Sequence, residues 1–421
     1  MDATLGSESG ARLRQGVWPA RALSAVALLT IPASYFAQRA IITALGAGVA
    51  PLVVIPEPKA IPPAAAVALT LLALVQCGGL ALLVRGRVPL SAAIVAGLAL
   101  TAISLTQSTS FSSDPYSYVG YGALPTFADG YAPPSLDLDS DFDRVYEYEG
   151  RPLITCLYGP LWLSFDRLLL AGSHSVAESL LRLRCINVVW WAALVALFAS
   201  RRETRGAAPL LAANPAIASC YVADAHVDIG GVTMLVAAAL FGTRRWWLAG
   251  MLALGAGLWK ITLAPLVLCV VPPQPRLRAF ALVAGVVALT VGLSLAWGGR
   301  GYVDALLHAG NSNTARGIKG IAHAVLVLAA GGALLVALFG AAKRWTMWLP
   351  MSLGANLFPW YSIWALPLAL RARGLAPFCI AWPLVAVTTD TFSPPLGYAV
   401  LIALTAAVAL ADSRALRARA A

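Results

Sequence analysis

The chain has 421 residues, of which 59% are hydrophobic and only 12% charged, and its mean hydropathy is +0.77. An average soluble chain is roughly 45–50% apolar and about 25% charged, and 30 basic plus 19 acidic side chains cannot coat a 43.9 kDa globule. A soluble enzyme, a disordered chain and a nucleic-acid-binding domain are thereby excluded, and the net charge of +11 is informative through its placement rather than its sum. The composition predicts an all-α polytopic integral membrane protein, multi-pass in the inner or plasma membrane, with the lipid bilayer as a partner and no nucleic acid.

Residues 1–21 carry Arg12, Arg14 and Arg21 ahead of an apolar stretch. No convincing small-residue cleavage site follows, so they read as a cytoplasmic tail rather than a signal peptide. A spanning helix needs roughly 20 mostly apolar residues. Residues 22–44, 63–84 and 88–108 form a first unit of three, and 279–297, 321–342 and 396–411 are comparable. Shorter candidates are 185–199, 207–223, 229–243 and 375–391, while 246–272 and 345–370 read as one span or as a tight hairpin each. The expected total is about 12 to 14, most of it in a bundle over 161–411.

With the N-terminus inside, the positive-inside rule places Arg85/Arg87, Arg201/Arg202, Arg244/Arg245, Arg276/Arg278, Lys343/Arg344, Arg371/Arg373 and the 412–421 tail in the cytoplasm. That requires both long stretches to be hairpins, their tips at Trp259-Lys260 and Phe358–Tyr361 pointing outward. It also requires one net crossing between 155 and 201, with 156–171 re-entrant or half of an uneven pair. The third span then delivers 109–160 to the outside. No internal repeat is visible, which weighs against an inverted-repeat carrier. The six cysteines are widely spaced, without the pairing of a metal or disulfide framework.

The loop after the third span holds Asp114, Asp129, Asp137, Asp139, Asp141, Asp143, Glu147 and Glu149, eight of the 19 carboxylates. Its tyrosine, proline and glycine content suits a folded external lid better than a helix. The run Asp137–Glu149 reads as a solvated acidic segment, with cation or acceptor binding the sharper alternative. Asp114 differs, because it stands at the membrane boundary before Pro115, which disfavours continuing a helix through it. A carboxylate there reaches both a lipid-linked substrate and water, and as a general base contributes typically 10²–10⁴-fold. A helix-end cap is the bland alternative.

Three further groups fall on the same expected face. Asp224-Ala225-His226-Val227-Asp228 joins two spans, and two carboxylates with an imidazole between apolar helices are expensive unless paired or functional. Sugar or phosphate binding, a polar loop cap and a metal site are its three readings, the HxD spacing being weak for a metal. Lys260 is the lone lysine with apolar runs on both sides; its ammonium either holds a phosphate as a point charge or snorkels to an interface. Asn356–Trp364 is an aromatic tip, either an interfacial anchor or a stacking wall for a sugar or polyprenyl chain. Tyr158-Gly159-Pro160-Leu161-Trp162 is comparable, its Gly-Pro suiting a re-entrant turn.

The order of the motifs adds weight. SSDPYSYVGYG, then LYGPLWL, then Asn214-Pro215 with Asp224–Asp228, then a lone lysine span and FPWYSIWALPLAL resembles the GT-C membrane glycosyltransferases. Within them it looks most like the polyprenyl-phosphate-mannose-dependent α-1,6-mannosyltransferases, over about residues 110 to 370. The resemblance implies a GT-C-like bundle with a large external loop after the third helix. It also implies inverting transfer on the external face from a polyprenyl-phosphate sugar, mannose by preference, to a glycan or glycolipid acceptor. The family's catalytic aspartate falls on Asp114, its His-Asn-Asp segment on His226 and Asp228, and its PWY on Pro359, Trp360 and Tyr361. Pro115, Val227 in place of an asparagine, and the acidic insert 136–149 depart from the family pattern.

The expected donor and phosphate-binding set is Lys260, His226, Asp228, Asp224 and Arg39. Tyr116, Tyr118, Tyr158, Trp162, Trp360 and Tyr361 are the expected substrate wall. No cofactor is required for a lipid-phosphate leaving group, and a divalent cation (Mg or Mn) is left open. A carrier or flippase for lipid-linked sugars, and a transferase with another sugar or acceptor, are the competing expectations.

Overall fold

The computed structural model describes residues 5–46, 62–86, 88–107, 109, 112–136, 141–149, 152–242, 245–270, 276–313, 318–339, 342–354, 358–391 and 402–412. Side chains are described for all of these except 5–21, 46, 147–149, 276, 308–313, 318–323 and 388–391. Asp137, Asp139, Arg87, Arg244, Asn356 and the 412–421 arginines therefore lie outside the described residues, as do the side chains of Glu147, Glu149, Arg12, Arg14, Arg21 and Arg276.

Among the described residues the chain is helical throughout, with no strand. In order, α1 is Leu5–Gly46, α2 Pro63–Gly86, α3 Leu90–Thr106, α4 Asp114–Ala123, α5 Asp143–Glu149, α6 Pro160–Leu170, α7 Val176–Ala199 and α8 Ala208–Ala212. Then come α9 Pro215–Ile217, α10 Asp228–Phe241, α11 Trp246–Trp259, α12 Val267–Val270, α13 Arg276–Asn313, α14 Ile318–Leu338, α15 Ala365–Arg371 and α16 Leu375–Thr391. Four helices are long and apolar enough to cross a membrane: Ala22–Leu45, Pro63–Gly86, Val176–Ala199 and Leu277–Leu307. Arg205–Ala212 and Pro215–Ala223, bent by 53°, make a fifth if taken as one span. Leu90–Thr106, α10, α11, Ile261–Val270, Ala324–Leu338, Leu375–Val387 and Ile402–Asp412 are apolar but shorter. Side chains such as Leu29, Leu168 and Leu277, each more than 70% exposed, leave an outward apolar surface of the kind a bilayer covers. The chain is thus an all-α membrane protein with four or five full-length candidates among its described residues.

Where the helices differ from expectation, polar groups are the reason. The span expected at 185–199 begins at Val176 instead. Ser175 caps it by accepting from the Glu178 N–H at 3.2 Å. The first turns accommodate a charge: Arg182 donates to the carbonyls of Leu169 and Ala171 and to Glu178. The loop expected as a non-helical lid is helical for ten residues from Asp114, because Pro115 occupies a first turn whose N–H groups have no intrahelical acceptor anyway. The stretch 246–272 breaks at Lys260, where the backbone is extended between α11 and a 3₁₀ segment, Ile261–Leu266. The described residues of 345–370 form three 3₁₀ turns followed by α15.

Helix pairs α1–α2, α10–α11, α2–α16 and α4–α6 pack directly. Gly97 of α3 sits so close to the Ala212 carbonyl oxygen that an added Cβ would lie 2.2 Å from it. One large apolar core joins α1–α3 to α7–α11 and α14–α16. A second, aromatic core under α4 and α6 contains Tyr116, Tyr118, Tyr158, Trp162, Trp259 and Tyr302. The candidate site lies where the two cores meet.

Candidate functional site

Asp114 opens α4, its own N–H donating to Ser112 Oγ at 3.1 Å. A carboxylate in the first turn faces the positive end of the helix. Its side chain keeps 37% exposure, yet the apolar and aromatic walls around it desolvate the carboxyl and push it up to about 6, against the pull of the Lys260 ammonium. The Tyr118 hydroxyl donates to Asp114 Oδ2 at 3.4 Å, and the Tyr118 and Tyr158 hydroxyls are 2.5 Å apart. With Tyr118 donating to the carboxylate, Tyr158 supplies the hydrogen of their mutual bond. Trp162 packs edgewise on Tyr118 and tilts against Tyr158. Tyr118 and Trp162 are about 1% exposed, so they brace the carboxylate from behind rather than forming an open wall. Tyr116, also buried, accepts from Thr109 Oγ1 at 3.1 Å.

Facing Asp114 is the segment Asp224–Asp228. A single π-turn, Ala218–Ala223, precedes it, a conformation frequent at functional sites. Ala225 then adopts φ = 50°, a left-handed conformation that costs a non-glycine residue strain. Side chains from α7 hold this turn in place. Arg184 donates to the Ala223 carbonyl through Nε (3.0 Å) and Nη2 (2.7 Å), and Asn187 Nδ2 donates to the carbonyls of Tyr221 (2.7 Å) and His226 (3.1 Å). Sequence reading passed over both residues, though a charge and an amide inside an apolar helix were the available signal.

His226 is fully buried, and its Nδ1 lies 3.7 Å from Asp114 Oδ2, too far for a hydrogen bond. Burial, reinforced by the Lys260 charge, keeps the imidazole well below its usual pKa and therefore neutral. Neither ring nitrogen has a hydrogen-bond partner among the described residues. The ring stacks on Trp360 at 3.8 Å, and Trp360 stacks on Phe358 at 4.4 Å. The Tyr221 hydroxyl donates to the Trp360 carbonyl at 2.6 Å, fixing this three-ring pile. The aromatic tip is thus turned inward and packed, with Trp360 3% exposed.

Lys260 is placed differently. Its ammonium is 2.9 Å from Asp228 Oδ1, which also accepts from Trp364 Nε1 at 2.8 Å. Three rings cage it, those of Tyr158 and Tyr361 at 4.6 Å and Trp364 at 5.0 Å. The motif around Tyr158 docks alongside: the Gly159 N–H donates to the Trp259 carbonyl at 2.9 Å. A Cβ on Gly159 would come within 2.0 Å of the Leu258 carbonyl oxygen, so only glycine allows that approach. Arg39, fully buried, belongs to another cluster, with Tyr35, Arg184 and Asp224 as its charged and polar neighbours.

The structure therefore gathers Asp114, Tyr118, Tyr158, His226, Asp228, Lys260, Trp360 and Tyr361 in one place, and sets Arg39 and Asp224 in a second polar cluster behind the turn. Trp259, Trp364, Arg184 and Asn187 join as supports. Among the described residues, no group of three or more His, Cys, Asp or Glu could hold a metal ion. Compared with known proteins, the chain matches no family model, no curated protein and no solved structure.

Proposed function

We propose that the protein is a membrane glycosyltransferase of GT-C type. In this reading it moves a sugar, mannose by preference, from a polyprenyl-phosphate donor to a hydroxyl of a glycan or glycolipid on the external face. The observation that carries the reading is the pairing of Asp114 with His226. A partly exposed carboxylate raised to about 6 stands 3.7 Å from a buried, neutral imidazole with two unpartnered nitrogens. Such nitrogens cost free energy unless something polar meets them, and a substrate phosphate or hydroxyl does so. A base with a pKa near the working pH is well matched to proton abstraction. The order of the sequence motifs supports the same class.

The chemistry proceeds as one displacement. Asp114 takes the proton from the acceptor hydroxyl, whose oxygen bonds to the anomeric carbon from the face opposite the phosphate. The bond from that carbon to the phosphate oxygen breaks, inverting the centre and leaving a polyprenyl phosphate monoester. His226 donates one ring N–H to the departing phosphate. Lys260, held by Asp228, contributes positive potential to the site, and Arg39 does so from the neighbouring cluster. Phe358, the partly exposed end of the Phe358–Trp360–His226 pile, offers its ring to the sugar. No residue here requires a cofactor, and the donor's monophosphate leaving group needs no metal bridge. About 12 to 14 membrane segments, counting the short and broken helices, complete the bundle in this reading.

The test is transfer from a radiolabelled polyprenyl-phosphate sugar in membranes carrying Asp114→Asn. Loss of label from the acceptor in a well-expressed variant is the expected outcome. Wild-type turnover would remove Asp114 from its role. Protein that moves the lipid carrier across liposomes without altering the sugar would replace the transferase with a carrier.

A further inference from the structure

Away from this site, a slot of about 430 Å³ opens on the outer side of α7, α10 and α11. Its floor is made of small residues, Ala193 and Ala196 of α7 and Ala237 of α10, with Trp190 at one end and Phe241 at the other. From Trp190 to Ser200 the slot follows α7 for roughly 15 Å at about 1.5 Å per residue. That is half the roughly 30 Å hydrocarbon core of a bilayer, the depth of one leaflet. Its wall is apolar throughout.

The far end is positively charged. The Arg201 guanidinium lies 4.8 Å over the Phe241 ring. Arg202, Arg205 and Arg245 are exposed beside it, against the single acid Glu203. The Arg245 backbone N–H donates to the Phe241 carbonyl at 3.2 Å, which sets its Cα one turn beyond Phe241. Trp246 and Trp247, 70% and 52% exposed, follow at the level where tryptophans mark a membrane interface.

We infer that this slot is a binding site for an anionic membrane phospholipid, one acyl chain lying between α7 and α10 and the phosphate resting on Arg201 and Arg245. The slot's length matches one leaflet, its wall suits an acyl chain, and the arginines at its far end suit an anionic head. Basic pockets between membrane helices on the positive side bind such head groups. The inference stands on the membrane reading of the chain and is independent of the transferase reading. It has a structural consequence too: Trp190 packs edgewise on Trp259 at 5.9 Å, and Trp259 Nε1 holds the Val227 carbonyl beside His226 at 2.9 Å. The lipid therefore braces the wall behind the site.

The test uses the full chain, delipidated in detergent and titrated with phosphatidylglycerol, with phosphatidylcholine of identical chains, or with glycerol 1-phosphate. The readouts are melting temperature and bound lipid by native mass spectrometry. Expected is a saturable rise in melting temperature with phosphatidylglycerol, about tenfold tighter than with phosphatidylcholine, and no response to the headgroup alone. Ala196→Phe, which fills the slot, abolishes retention of both lipids. Arg201→Gln keeps the chain but removes the preference for the anionic head. Equal response to the two lipids, a full response to glycerol 1-phosphate, or undiminished binding in both variants would overturn the inference. So would displacement of phosphatidylglycerol by an equimolar polyprenyl phosphate, which would make the slot the donor's path.

Discussion

The two charged arrangements in the site follow opposite rules. Around Lys260 the cation is spent: Asp228 Oδ1 takes its proton-bearing end, Trp364 shares that oxygen, and three aromatic rings close the sides. Asp228 Oδ2 is left without a partner among the described residues. Across the same turn, Asp114 keeps a partly open carboxylate with a long hydrogen bond from Tyr118, and His226 beside it has both imidazole nitrogens unused. The difference teaches which half supports and which half reacts. A buried ion pair is costly to break and offers little to a ligand, whereas groups held unpaired by their surroundings are ready for a substrate to complete.

This division can be broken at several points. The largest expected effect is on catalysis: Asp114→Asn lowers transfer by about 10²–10⁴-fold while its melting temperature stays equal or rises. The direction follows from the raised carboxyl. A folded-state pKa above that of the unfolded chain binds more protons in the folded state, so the ionised form at neutral pH weighs against folding and its removal does not hurt. Lys260→Met does the reverse. It strands Asp228 and costs about 3–5 kcal/mol of stability; the double variant with Asp228→Asn recovers much of this, and a double-mutant cycle in chemical denaturation measures it. Equal effects from the two single variants on stability would erase the distinction between the halves.

His226→Phe sharpens the comparison, since it keeps the stack on Trp360 and deletes both unpartnered nitrogens. Stability is expected to hold or increase, because no hydrogen bond is lost. Donor binding weakens by about 1–3 kcal/mol, roughly 5- to 150-fold, read from KM or direct titration. Tyr118→Phe is the mildest. Removing a long 3.4 Å hydrogen bond from Asp114 changes the rate by a few-fold, about 0.5–1.5 kcal/mol. The same bond holds the carboxyl down, so its loss moves the acidic limb of the pH profile upward.

Residues that act through local chemistry were legible in the chain. Asp114 beside Pro115, the Asp224–Asp228 turn between two apolar runs, and a break at a lone Lys260 are each marked by a polar group where an apolar one is expected. What joins them was not legible. The bond between Trp364 and Asp228 spans 136 positions and the one between Tyr221 and Trp360 spans 139, and no periodicity encodes such pairings. For the same reason Lys260 looked like a free phosphate ligand, and Trp360 had an interfacial anchor as its plain reading. The span expected at 185–199 fell short of α7, in which Arg182 and Arg184 stay because nearby carbonyls accept from them.

The pH dependence of kcat/KM for transfer from a polyprenyl-phosphate sugar tests the central claim most directly. A general base must be ionised, so with Asp114 at about 6 the rate is level above about pH 7 and falls as pH drops through 6, approaching tenfold per unit. Tyr118→Phe shifts that limb upward. A profile that stays level down to pH 4 would contradict the assignment of Asp114 as the base.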